Sequence, residues 1–339
     1  MIVDAHNHAL LSHARTKAGV FPSVAIDRLV SDLGSGGVAG VGLVSGGTIS
    51  FPVRESESAW LGTVDGLHRF WKGLEASAHD LIVVQSAYDV DLLGKETPGV
   101  LLGIEGWDCC LDASDLDPVA ALQELARLGV RSIQPLGRHD SKAFRTEGPP
   151  HSDLKLSEIG KTLIHVARSL GMIIDLAHLS GDEPAFHEIL ELADIAPIAS
   201  HHSCRALTDL PGALSDAAIQ AIADAGGVIG IHTGRHWLSP ANENASMDEF
   251  LHHIAHVIEI AGTAHVAIGT DHVDVRAMPI DLPDDMYIEG FQGPATMEIF
   301  SHAIRRLKLT GEEMEQLLWG NVLRVWKNAL STTAAPEAL

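Results

Sequence analysis

The chain has 339 residues, of which 46% are hydrophobic and 20% charged, enough apolar content to bury a large core and to exclude disordered and fibrous classes. Lys and Arg number 23 against 45 Asp and Glu, a formal net charge of −22, and so acidic a surface repels phosphate backbones and anionic lipid; neither nucleic acid nor a membrane is expected as a partner. The 3 cysteines, Cys109, Cys110 and Cys204, cannot frame a chain of this length with disulfides, two of them being adjacent. No charged and apolar leader pattern opens the sequence, and no run of about 20 apolar residues is present to cross a bilayer. A soluble cytoplasmic protein is the expectation, in which the sequon Asn244-Ala245-Ser246 has no use.

Short apolar runs recur along the chain, each followed by a loop and a stretch of helical periodicity, the pattern of βα units and a parallel sheet. Strands are predicted at 2–5, 39–44, 99–104, 132–135, 172–176, 197–199, 228–231 and 266–268. Helices between them carry their own punctuation. Asp117 precedes a helix over 118–128 that starts on Pro118 and stops at Gly129; Ser157 precedes 158–170, stopped by Gly171; Ser215 precedes 216–225, stopped by Gly226-Gly227. Gly34-Ser35-Gly36-Gly37 reads as a helix stop and turn. The expected fold is a (β/α)8 TIM barrel forming one domain over 1–330, with 331–339 as a short tail. An open doubly wound sheet is the competing architecture, and the lack of a G-x-G-x-x-G after the first strand weighs against it.

The 20 histidines matter by position, because the C-terminal ends of barrel strands build the active face. His6 and His8 close the first strand in an H-x-H, and a two-residue period points both imidazoles the same way. Glu105 follows the third strand as a carboxylate that needs either a cation or nearby donors. Asp175 and His178 close the fifth; the aspartate either orients a ligand imidazole or caps the next helix. His201 closes the sixth, with His202 pointing away. His232 and Arg235 follow the seventh, where the histidine either lines a pocket or holds a loop. Asp271 closes the eighth.

Polar residues buried by chance do not gather on one rim, so His6, His8, Glu105, His178 and His201 are expected to ligate metal, with Asp271 and Glu105 catalytic. A glutamate can bridge two cations about 3.5–4 Å apart, and a water held there loses a proton near neutral pH. Asp271 then serves as the proton acceptor and donor of a hydrolysis. Nitrogen and oxygen ligands without thiolates suit zinc, two ions bridged by Glu105 or a single one.

The motifs, in order and spacing, resemble the renal (membrane) dipeptidase family of the amidohydrolase superfamily across nearly the whole chain. They are His6-Asn7-His8, Gly37-Val38-Ala39-Gly40, Ile104-Glu105-Gly106, Gly129-Val130-Arg131, Asp175-Leu176-Ala177-His178, Ser200-His201-His202-Ser203 with Arg205-Ala206-Leu207, Gly269-Thr270-Asp271 and Gly320-Asn321-Val322-Leu323-Arg324-Val325. The resemblance implies that His6, Glu105, His178 and His201 are zinc ligands, that Glu105 bridges, that Asp271 moves protons, and that the substrate is a dipeptide-like small molecule with an amide or carboxylate.

Three departures bear on substrate and metal. His8 stands where the family has aspartate. Gly137 stands where it has a substrate-contacting histidine, with His139 two residues on as the replacement. Gly212 stands where it has the arginine that clamps the dipeptide carboxylate, leaving Arg138, Arg205 or Arg235 to supply a guanidinium. The expected function is therefore zinc-dependent hydrolysis of amide bonds with a substrate shifted from ordinary dipeptides, with His139, Arg138, His232 and Arg235 contacting it. The alternatives are a decarboxylation or other lyase step on one firmly held metal, and a metal-binding barrel without turnover. The charge and apolar content are compatible with a homodimer.

Overall fold

The computed structural model describes residues 1–9, 22–47, 58–94, 97–135, 141–145, 154–239, 245–273 and 286–331. Arg138, His139, Asn244 and all but the first residue of the 331–339 tail lie outside them.

Eight parallel strands form the framework among these residues: β1 (Ile2–Asn7), β2 (Val38–Gly47), β4 (Gly99–Glu105), β5 (Ser132–Gln134), β8 (Ile173–Ile174), β9 (Ile198–His202), β10 (Val228–Ile231) and β11 (Val266–Ile268), with a short β3 (Ile82–Val83) beside β4. Their sequences are apolar on successive residues because both faces are covered, one by the barrel interior and one by helices. The hydrogen-bonded order is β8-β5-β4-β2-β1-β11-β10-β9. The two ends of this path meet through a parallel bridge between Asp175 and Ile198, where the Leu176 N–H donates to the Ile198 carbonyl at 2.7 Å. The predicted barrel is thus a curled parallel sheet whose edges touch.

All eight predicted runs carry a strand. Two additions were not read from sequence. Strand β3 pairs with Gly99 and Val100 at the start of β4, while β5 pairs with Gly103 to Glu105 at its end, so two short strands share one edge. A hairpin of β6 (Phe144–Arg145) and β7 (Lys155–Leu156) lies outside the barrel sheet; two-residue strands leave too little alternation to detect.

The capped helices behave as their punctuation requires. Asp117 accepts from Val119 and Ala120 N–H at the head of Pro118–Arg127, and Ser157 and Ser215 accept from Gly160 and Ala218 at the heads of Glu158–Ser169 and Asp216–Asp224. Gly129, Gly171 and Gly226 take positive φ just beyond the three helix ends.

One end of the barrel is closed by the C-terminal helix Asn321–Leu330, which continues from a π-helical turn, Gln316–Gly320. Its apolar face packs Val322, Val325, Trp326 and Ala329 against Val3, Leu101, Ile173, Ile198 and Val228. The polar residues of the same segment lock it: Asn321 Nδ2 donates to the carbonyls of Thr263 and Val266, and Arg324 to those of Gly226 and Ala264. These contacts explain the closing Gly320 to Val325 motif and leave the opposite rim, where the strands end, for chemistry.

Candidate metal centre

Strand β1 is anchored before it reaches the rim. Buried Asp4 accepts the Thr270 N–H at 2.9 Å, the Thr270 hydroxyl at 2.6 Å and Asn7 Nδ2 at 3.0 Å. The Asp271 N–H donates to the His6 carbonyl at 3.0 Å and the His8 N–H to the His272 carbonyl at 2.9 Å. The first and last barrel strands are therefore held in register, and His6, His8 and Asp271 are brought together from opposite ends of the chain.

Their side chains converge on Glu105. His8 Nε2 lies 3.1 Å from Glu105 Oε2 and 2.9 Å from Asp271 Oδ1, and His6 Nε2 lies 3.4 and 3.6 Å from the same two atoms. On the other side His178 Nε2 is 2.9 Å from Glu105 Oε1. Two groups with cation-holding geometry result: His6, His8, Glu105 and Asp271, and Glu105, His178 and His201, the donor atoms of each lying within 4.8 Å of one another. Glu105 belongs to both.

Backbone conformation aims these side chains. His178 and Asp271 have φ of 72° and 50°, and Gly106, next to Glu105, has 71°. A left-handed residue costs energy outside glycine, and such positions persist where surrounding contacts over-determine them. At Asp271 the restraint is Tyr287, whose hydroxyl donates to the Asp271 carbonyl at 3.0 Å and accepts the Val273 N–H at 2.7 Å. Nothing in the sequence ties this tyrosine to the site.

The cluster's electrostatics favour a cation. Burial opposes ionisation of Glu105, yet the imidazoles of His178, His6 and His8 around it hold its carboxyl well below the usual range. Burial likewise opposes charge on His8, but hydrogen bonds to Asp271 and Glu105 outweigh it and raise its pKa to about 10. His201 Nε2 is buried with no hydrogen-bond partner, an expensive state for a ring nitrogen unless an ion occupies the space it faces. The donor set of imidazole nitrogens and carboxylate oxygens fits a metal on these grounds. Cys110 and Cys204 take no part: burial pushes their thiols to about 11 and about 12.

The remaining predicted residues occupy varied positions. His232 is buried, with Nε2 2.8 Å from Asp271 Oδ2 and Nδ1 accepting the Gly234 N–H at 2.7 Å, so both ring nitrogens are engaged. Arg235 opens the helical turn Arg235–Leu238 on the same rim. Arg205 donates to the carbonyls of Pro211 and Ala213 and pairs with Asp182, bracing a loop. His202 is buried with Nε2 3.5 Å from the Leu176 carbonyl. Gly212 has open space where a side chain would begin. Arg138 and His139 lie outside the described residues.

Sequence reading missed Ser200, whose hydroxyl lies between two of the imidazoles, and Gln134. The latter pairs in register with Glu105 at the end of β5, and neither atom of its buried side-chain amide has a hydrogen-bond partner. Polar residues inside apolar strands were the available signal.

Comparison with known proteins gives the family and the fold. The profile of the membrane dipeptidase family (peptidase family M19) matches residues 6–338. An uncharacterized dipeptidase of Schizosaccharomyces pombe is 30% identical over 233 residues, 67% of this chain and 52% of its own length; the match thus spans about half of that relative. An amidohydrolase from Pseudomonas aeruginosa superposes with a TM-score of 0.77 at 17% identity, covering 97% of this chain and 96% of that one. A metallopeptidase from Rhodobacter sphaeroides, solved with a phosphinate mimic of the dipeptide L-Ala-D-Ala, superposes at 0.75 with 18% identity, covering 97% and 99%. At these identities the structural likeness speaks for the fold. No helix among the described residues is long and apolar enough to cross a membrane.

Proposed function

The chain belongs to the membrane dipeptidase family, and from that premise we propose that it is a zinc-dependent hydrolase of amide bonds in a small molecule, with a substrate shifted from ordinary dipeptides. The observation that carries this reading is the pair of cation-holding groups sharing Glu105. His6, His8 and Glu105 would hold one ion, and Glu105, His178 and His201 the other. When bound, zinc supplies Lewis acidity that polarises the scissile carbonyl and acidifies the attacking water.

The chain's own groups handle the proton. Asp271 has its Oδ1 beside His8 and its Oδ2 beside His232, and its side chain keeps 24% exposure, so it is reachable from the cleft. It accepts a proton from the attacking water and returns it to the departing amine nitrogen, which converts a poor leaving group into a neutral amine. His232 and Arg235 stand on the rim and, with Arg138 and His139 from the sequence that follows β5, are assigned to substrate contact, His232 acting also on Asp271. The substrate shift rests on Gly212: no guanidinium at that position pairs with a dipeptide carboxylate.

Metal content per chain by plasma mass spectrometry, after dialysis against a weak chelator, tests the reading on wild type and His8→Asp. Two zinc ions in wild type are expected. One ion in wild type, rising to two in the variant, favours a mononuclear site and the lyase alternative; CO2 release without water incorporation from a carboxylated substrate then identifies that reaction. Metal-free protein after zinc loading overturns both.

A further inference from the structure

The Ser200 hydroxyl oxygen lies 3.1 Å from His6 Nδ1 and 3.1 Å from His201 Nδ1. These two rings come from strands β1 and β9, and their other nitrogens face different halves of the centre: His6 Nε2 faces His8, Glu105 and Asp271, and His201 belongs to the group with Glu105 and His178. A serine hydroxyl has two acceptor sites and one proton. Asp175 supplies a destination for that proton, because its carboxylate interacts with the Ser200 side chain and also accepts the N–H groups of Ser200 and Ala177, each at 3.0 Å.

The backbone at the serine is also closely packed. A Cβ added at Gly230 or Gly269 would fall 1.9 or 1.7 Å from the Ser200 carbonyl oxygen, so one glycine in β10 and one just after β11 let the backbone pack tightly against it. A hydroxyl that gives its proton to Asp175 accepts from both rings and so selects one tautomer in each. With Nδ1–H donated to Ser200, each imidazole presents the unprotonated Nε2 that a metal requires, and this accounts for the unpartnered Nε2 of His201.

We propose that Ser200, held by Asp175, is a positioning residue common to both halves of the metal centre, accepting Nδ1–H from His6 and from His201 at once. The proposal rests on the assignment of those histidines as ligands. Its consequence is that the two ions share one outer support, so removing the hydroxyl loosens both together, whereas removal of any single histidine other than these acts on one half first. Outer supports of ligating histidines change metal affinity by about 10- to 100-fold.

Zinc affinity of the full chain, measured by chelator competition on wild type, Ser200→Ala and Ser200→Thr, tests this. The expected result is a fall of about tenfold or more for both ions in Ser200→Ala, with Ser200→Thr close to wild type because it keeps the hydroxyl. Imidazole 15N correlation spectra of zinc-loaded wild type give a second reading that needs no variant to fold: His6 and His201 should both show protonated Nδ1. Equal affinity in Ser200→Ala, a loss confined to one ion, or an unprotonated Nδ1 on either ring overturns the proposal while leaving the metal reading intact. Wild type that takes up no zinc overturns the metal reading and the shared support with it.

Discussion

His232 donates Nε2–H to Asp271 Oδ2 at 2.8 Å because its other nitrogen is committed to the Gly234 N–H at 2.7 Å. The backbone donor two residues away fixes the tautomer, and the tautomer fixes which group holds the carboxylate. Replacing His232 with Leu should leave Oδ2 unheld and lower kcat roughly 100-fold or more with little change in KM, in the range of general acid–base contributions. Glutamine, whose amide N–H reaches as far as Nε2, should recover most of the loss. Steady-state kinetics of the two variants check this, and equal losses would show that His232 acts only by packing.

The tight approach around Ser200 makes a stability prediction. Gly269→Ala places a methyl 1.7 Å from a backbone carbonyl oxygen, which no rotamer change relieves. We expect a loss of about 3 kcal/mol or more, at or beyond the usual cost of overpacking, together with reduced zinc content. Denaturant unfolding of the zinc-free forms measures the first; an unchanged midpoint contradicts the closeness of the strands.

His202 governs part of the acid sensitivity. Burial depresses it from its ordinary value to about 3, whereas an unfolded histidine titrates near 6.5. Between those values the unfolded chain takes up a proton that the folded chain refuses. The stability that this residue contributes is thus complete above about pH 6.5 and is lost as pH falls toward 3, at roughly 1.4 kcal/mol per pH unit. In zinc-free protein, His202→Gln should show a shallower decline of unfolding free energy between about pH 6 and 4 than wild type does. Parallel curves would mean that His202 is charged in the fold.

A guanidinium restored at position 212 should shift specificity. Because a side chain starting at Gly212 meets open space, Gly212→Arg is expected to fold normally and to raise kcat/KM for simple dipeptides by about tenfold or more, the value of one charge-assisted pair. Comparing a dipeptide with its C-terminal amide isolates the carboxylate; an equal gain on both would assign the effect elsewhere.

The thiols offer a check on the site's composition. With Cys110 raised to about 11 and Cys204 to about 12 by burial, neither should alkylate in native protein at about pH 8, and both should do so in denaturant. Zinc loading should not change the pattern, since neither thiol belongs to the ligand groups. Protection that depends on zinc would bring a thiolate into the centre.

Much of this architecture is written locally. Apolar runs such as 2–5 and 266–268 bury on both faces and so form strands wherever they occur, and Asp117, Ser157 and Ser215 start helices through their own side chains. The same locality exposed His6, His8, Glu105, His178, His201 and Asp271, because a polar residue ending an apolar strand must lie on the barrel rim. Sequence could not say which neighbour each would meet. That His232 turns to Asp271, that Tyr287 clamps the Asp271 carbonyl and that Ser200 joins His6 to His201 depend on contacts between residues 39, 16 and 194 positions apart. Composition and spacing determine the elements and the residue types on the rim; the closing of the sheet alone decides their partners, since hydrogen bonds of about 3 Å arise only after β1 has paired with β11 and β8 has met β9.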